Sequence, residues 1–270
     1  MRPAPATVRW LILALLLVLW ELLPRTGWIP ELFLPSLSKT MTVLIRDRQE
    51  YAENLLVTLY EVALAMVIAC GGGILIGALV GGLSLLRSLL LPVFSSLYAV
   101  PIVILYPIFT AWLGIGSESK IAFAGVYGFF PVMLSTAAGI RTIDAQLLLA
   151  ARSMGATLAQ QIARVVIPAS IPTVLAGLRL GGALTIIGVV VSEMLTSSAG
   201  IGYLVTRYRT ILDSPHVFGA VIMILVLSVL FDTLARLVER RTAVWQTAGR
   251  RERDETREAS DMVAAPASAV

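Results

Sequence analysis

The stretch LLVTLYEVALAMVIACGGGILIGALVGG, residues 55–82, carries a single charge, Glu61, and no proline. About 20 mainly apolar residues suffice for a helix to cross a bilayer. The stretch is too long for a barrel strand and does not alternate with period two, so it reads as a membrane-spanning helix. Gly73, Gly77 and Gly81 recur at intervals of four, which puts them on one face and lets a neighbouring helix approach closely. On both sides the pattern repeats, giving further spans over 9–23, 89–113, 121–140, 170–195 and 216–238. The expected fold class is therefore all-α, a polytopic membrane protein of about six transmembrane helices.

Composition agrees with this reading. The 270 residues are 57% hydrophobic and 14% charged. Ordinary soluble domains carry about 25% charged residues. The net charge of +4 does not indicate nucleic acid, because most charges flank the apolar runs, as membrane anchoring requires. Arg2 and Arg9 precede the first run, and no small-x-small cleavage site follows Leu23. That run is expected to be a retained membrane helix, with Trp10 and Trp20 in the two interfacial belts.

The distribution of arginine and lysine sets the orientation. With both termini inside, the inner segments hold Arg2, Arg9, Arg87, Arg141, Arg152, Arg164 and the arginines from Arg240 to Arg257. The outer segments hold fewer, among them Arg25, Lys39, Arg46, Arg48, Lys120, Arg207 and Arg209. Positive charge favours the cytoplasm, so both termini are expected there. Three regions follow: 1–54, a membrane helix and outer connection with a short surface helix near 39–50; 55–240, the transmembrane core; and 241–270, a cytoplasmic tail whose composition reads as largely disordered.

Charges inside spans need partners, since each costs at least about 2.5–3.5 kcal/mol at mid-membrane. Arg179 and Glu193 lie in one expected helix. At about 100° and 1.5 Å per residue they share a face, roughly 21 Å apart. Arg179 is expected to anchor to the inner loop, and Glu193 either anchors structure or lines a pathway. Together they are the candidates for a pathway or gate. Glu61 and Asp232 read as helix-end residues whose side chains reach the interface.

No catalytic set, cofactor site or metal site is expected of this chain. Cys70 lacks partners for a disulfide or a metal site, and His216 follows Pro215 as a helix-end residue. No glycine-rich turn leads into Gly-Lys-Ser/Thr, so no phosphate loop is present to power transport. The absence of an internal repeat argues against the inverted-repeat architecture of secondary transporters. A gradient-driven transporter or channel is the competing class, and a non-transporting membrane anchor the third.

The loop over 141–168 carries the most information. Leu147–Met154 forms helices well, and Gly155 is placed to end that helix with a positive φ. A second short helix then runs to Ile167 and closes at Pro168. The result is a helix–turn–helix outside the bilayer.

This loop resembles the signature of binding-protein-dependent ABC importer permeases through Leu149-Ala150-Ala151, Gly155 with Ala156, and Val166-Ile167-Pro168. The nitrate/sulfonate/taurine branch is matched further by Phe33–Ser36, Trp112–Gly116 with Lys120, Phe130-Pro131, Gly139–Arg141, Gly177–Arg179, Glu193-Met194 and Gly200–Gly202. The resemblance implies the type I importer permease fold, with 141–168 as the loop that couples to an ATPase. It implies a homodimer in the plasma membrane, two ABC ATPase subunits that hold the ATP, and an extracytoplasmic solute-binding protein. The implied cargo is a small solute such as a sulfonate, taurine or nitrate. Leu149 stands where the family usually has glutamate, so docking is expected to be apolar.

Overall fold

In the computed structural model, residues 5–264 are described, with side chains described over 7–241. Eleven α-helices make up the described chain, beginning with α1 (Pro5–Arg25), α2 (Leu37–Arg46) and α3 (Arg48–Gly82). After these come α4 (Ser84–Tyr98), α5 (Tyr106–Leu113) and α6 (Ser117–Arg141). The remainder are α7 (Ala145–Ser153), α8 (Leu158–Gln161), α9 (Ile167–Leu195), α10 (Ile201–Thr210) and α11 (Ser214–Ala264). Among the described residues, five stretches are long and apolar enough to cross a membrane unaided: α1, α3, α6, Leu158–Leu195, and α11 as far as Arg241.

The sixth expected span, 89–113, is not a straight helix. It is a bent pair, α4 and Ile102–Leu113, meeting at 86°. Pro101 disfavours helical geometry in the residue before it and cannot donate an amide, so the helix breaks there.

The centre of the fold is the packing of α3, α6 and α9. A Cβ on Gly73 would lie 2.6 Å from Val132 Cβ, and one on Gly77 would lie 2.5 Å from the Met133 carbonyl. On Gly81 it would lie 2.9 Å from Ala137 Cα. The four-residue glycine spacing is thus the groove in which α6 lies, and dispersion across this close approach holds helices that lipid could otherwise solvate. Val62 and Ala65 of α3, Ala124 of α6, and Ile186 and Val189 of α9 form a buried apolar cluster among the same three helices.

The helix–turn–helix differs from expectation at its second arm. That arm does not stop at Pro168. The chain runs as a wide π-helical turn over Ile162–Val166 directly into α9. Pro168 lacks an amide and its ring would crowd the carbonyl four residues back, and the widened turn accommodates both effects. At the C-terminus, residues 241–264, expected to be disordered, continue α11 as helix. The rest of the expected tail, 265–270, lies outside the described residues.

Candidate functional site

Two polar regions sit at opposite ends of α6 and α9. One is the loop between these helices, 142–166. Asp144 caps α7 by accepting from the Gln146 amide at 2.9 Å. The helix ends in a Schellman turn: the Gly155 amide donates to the Arg152 carbonyl at 2.9 Å and the Ala156 amide to that of Ala151 at 3.0 Å. Gly155 has φ +76°, which any other L-residue would adopt under strain. Thr157 and Gln160 then form a capping box that starts α8. The buried Gln161 side chain donates to the Ala156 carbonyl at 2.9 Å and accepts from Arg152 Nε at 3.3 Å, holding the two arms together.

This ordered loop turns apolar side chains outward. Leu149 is 65% exposed, Met154 87% and Leu158 71%, with Ala150 also on the surface. Ala151 and Ala156 are half-buried, while Ile167 and Pro168 are exposed where α9 begins.

At the other end, the connection between α9 and α10 is fastened from three helices. Asn54, Thr58 and Glu61 occupy one face of α3 at i, i+4, i+7 spacing. The Gly200 amide donates to Asn54 Oδ1 at 2.8 Å, and the Ile201 amide to Thr58 Oγ1 at 2.9 Å. Glu193, at the end of α9, accepts from Thr58 Oγ1 at 2.7 Å and from the Gly202 amide at 2.7 Å. Its carboxylate therefore sits at the amide end of α10, where the helix dipole favours negative charge. A Cβ on Gly200 would collide with this carboxylate, and one on Gly202 with the Val190 carbonyl. Gly200 also requires φ +106°.

Beside this cap lies a buried ion pair. Lys120 of α6 pairs with Glu61, the two side chains being 4% and 0% exposed. Ser117 donates to Glu61 Oε1 at 2.7 Å, and Lys120 Nζ donates to Ser197 Oγ at 3.0 Å. The assignment of Glu61 to a helix end that reaches water is thereby corrected. Burial leaves no route to the interface, and pairing with Lys120 replaces hydration. The signal was present in the sequence as two opposite charges near the outer ends of apolar runs, Glu61 inside 55–82 and Lys120 just before 121–140. Pairing them required knowing that α3 and α6 adjoin.

Arg179 is likewise not tied to the inner loop. It bonds Asp232 Oδ1 at 2.6 Å and reaches Glu239 at 3.6 Å, joining α9 to α11. Arg236 bonds the other Asp232 oxygen at 2.7 Å. Arg179 and Glu193 do not touch, and each has its own partners. His216, expected as a helix-end residue, lies between Asp47 at 3.0 Å and Asp213 at 2.8 Å and stacks on Tyr208. Burial and hydrogen bonding to Glu50 push the Tyr208 phenol upward from its ordinary value.

The sequence profile of the family described as binding-protein-dependent transport system inner membrane component matches residues 73–244. A Bacillus subtilis protein described as an aliphatic sulfonates transport permease, SsuC, is 31% identical, covering 88% of this chain and 87% of its own. The taurine transport system permease protein TauC of Escherichia coli is 29% identical over 86% of this chain and 87% of that one. Among solved structures, inward-facing conformations of the MetNI methionine ABC transporter superpose with a TM-score of 0.57 at 19% identity. They cover 75% of this chain and 97% of that one.

Proposed function

The chain belongs to the binding-protein-dependent transport system inner membrane component family, and from that premise we propose that two copies of it form a pathway for a small organic anion. It is the membrane-spanning permease subunit of an ABC importer, a multi-pass inner membrane protein with the type I importer fold. Its role is transport, and family membership implies ATPase and binding-protein partners.

In this reading two cytoplasmic ATPase subunits hold the ATP, and the 142–166 loop is the part they move. Leu149, Ala150, Ala151, Gly155 and Ala156 form the seat, with Ile167 and Pro168 passing motion into α9. The supporting observation is an ordered helix–turn–helix, its first arm and turn outside every spanning stretch and its second arm opening the stretch Leu158–Leu195, that leaves Leu149, Met154 and Leu158 without cover. Water strongly disfavours such a surface, at about 25 cal/mol per Å² of apolar area. Both termini lie on the same side as this loop, in the cytoplasm, as the arginine bias favours. A solute-binding protein delivers cargo to the opposite end. A sulfonate such as taurine fits the relatives' names best.

The test is uptake into proteoliposomes containing this chain, its ATPase and its binding protein. Taurine and ethanesulfonate uptake should need ATP and all three proteins, and native mass spectrometry should find two permease copies. Uptake driven by an ion gradient without ATP would sink the proposal.

A further inference from the structure

Three helices each send a polar group into the seven residues 196–202: Asn54 and Thr58 from α3, Lys120 from α6 and Glu193 from α9. The stability of α10 itself comes from elsewhere. Its Ile201, Leu204, Val205 and Tyr208 pack with Tyr51 of α3 and Ala220 of α11 in an apolar cluster. Lys120 contributes nothing to that cluster. Its ammonium, neutralised by Glu61, has one further bond, and that bond reaches Ser197 in the connection.

A buried ion pair is a weak source of stability, since apolar side chains of similar volume often serve as well. A directional bond from such a pair supplies geometry instead, because hydrogen bonds weaken steeply with small changes of distance and angle. The helices concerned are also the two that border the 142–166 loop at their other ends, α6 at Arg141 and α9 at Ile167. A displacement of that loop that shifts α6 against α9 changes the Lys120–Ser197 distance. We infer that Glu61 and Lys120 are positioning residues for transport: they register α6 against the 196–202 connection, so that events at the binding-protein end and the loop end stay coupled.

This rests on the permease reading. The test therefore uses the complete transporter in proteoliposomes and reads the ratio of ATPase rates with and without binding protein. The main variant is the double substitution Glu61→Gln, Lys120→Met, which removes both charges and strands neither. The ratio should fall at least threefold through a raised basal rate, while the stimulated rate holds. Ser197→Ala, which leaves the ion pair intact, should shift the ratio in the same direction by a smaller factor. It decides the matter alone if the double variant fails to assemble. Lys39→Met, which breaks the exposed Lys39–Glu31 pair, should leave the ratio at the wild-type value. A wild-type ratio in the double variant, or an equal proportional loss of both rates, would overturn the inference. A wild type whose ATPase ignores the binding protein would instead overturn the permease reading.

Discussion

The two ends of α6 and α9 solve opposite problems. At the 196–202 end, charged and hydroxyl side chains are buried, and each helix supplies partners for another's polar groups. At the 142–166 end the backbone is capped and stapled just as carefully, yet the apolar side chains face outward. The first end pairs its charges within one chain, with Glu61 Oε2 left without a hydrogen-bond partner. The second has order without cover, which is what the proposed docking to an ATPase requires. Single mutations that strand a charge at the first end should therefore cost stability, whereas mutations of the exposed side chains at the second should act on assembly or coupling alone.

The largest expected effect is at the buried pair. Lys120→Met strands the Glu61 carboxylate and should cost about 3–5 kcal/mol, seen as a large fall in thermal midpoint in detergent. Adding Glu61→Gln should recover most of it. A single variant as stable as wild type would show that the pair is hydrated and the contrast between the ends false.

Gly155→Val comes next. A β-branched residue at φ +76° should be strained by about 1–2 kcal/mol, deforming the turn while leaving the membrane core folded. ATP-dependent uptake should fall at least tenfold with the thermal midpoint nearly unchanged. Normal uptake would remove the loop from the coupling path.

Met154→Ser with Leu158→Ser should weaken ATPase binding without destabilising the isolated permease. Each side chain is worth about 1.5–3 kcal/mol when fully buried by a partner. Partial burial of both should give about a tenfold loss, measurable by titration in detergent. Unchanged affinity would mean these residues meet lipid or water instead.

The smallest effect is expected from Leu149→Glu. The side chain is already exposed, and the family's usual acid should be accepted, with affinity for the ATPase within about threefold of wild type or tighter. Loss of the complex would show that Leu149 sits in an apolar recess and that this loop docks differently from its relatives.

The helical membrane architecture was legible in the sequence, because apolar runs of spanning length have few alternatives. The Gly73/Gly77/Gly81 face was legible too, since a four-residue repeat of small residues has meaning only against another helix. So was the turn at Gly155, whose Schellman and capping-box partners lie within a few residues in the chain. The break at Pro101 was missed because hydropathy averages over a bend, and the passage of α8 into α9 because a proline ordinarily stops a helix.

What tertiary structure alone decided was the pairing of charges between helices. Glu61 and Lys120 are 59 positions apart, and Arg179 and Asp232 are 53 apart. Nothing local distinguishes a carboxylate that reaches water from one that is sealed against a neighbouring helix. By itself the sequence determined which stretches are long and apolar enough to span and where the turn at Gly155 falls, because both follow from local hydropathy and backbone chemistry. Which charges meet depended on the packing of α3 against α6, where burial removes water and leaves Glu61 and Lys120 to each other, and of α9 against α11, where the part-exposed Arg179 reaches Asp232.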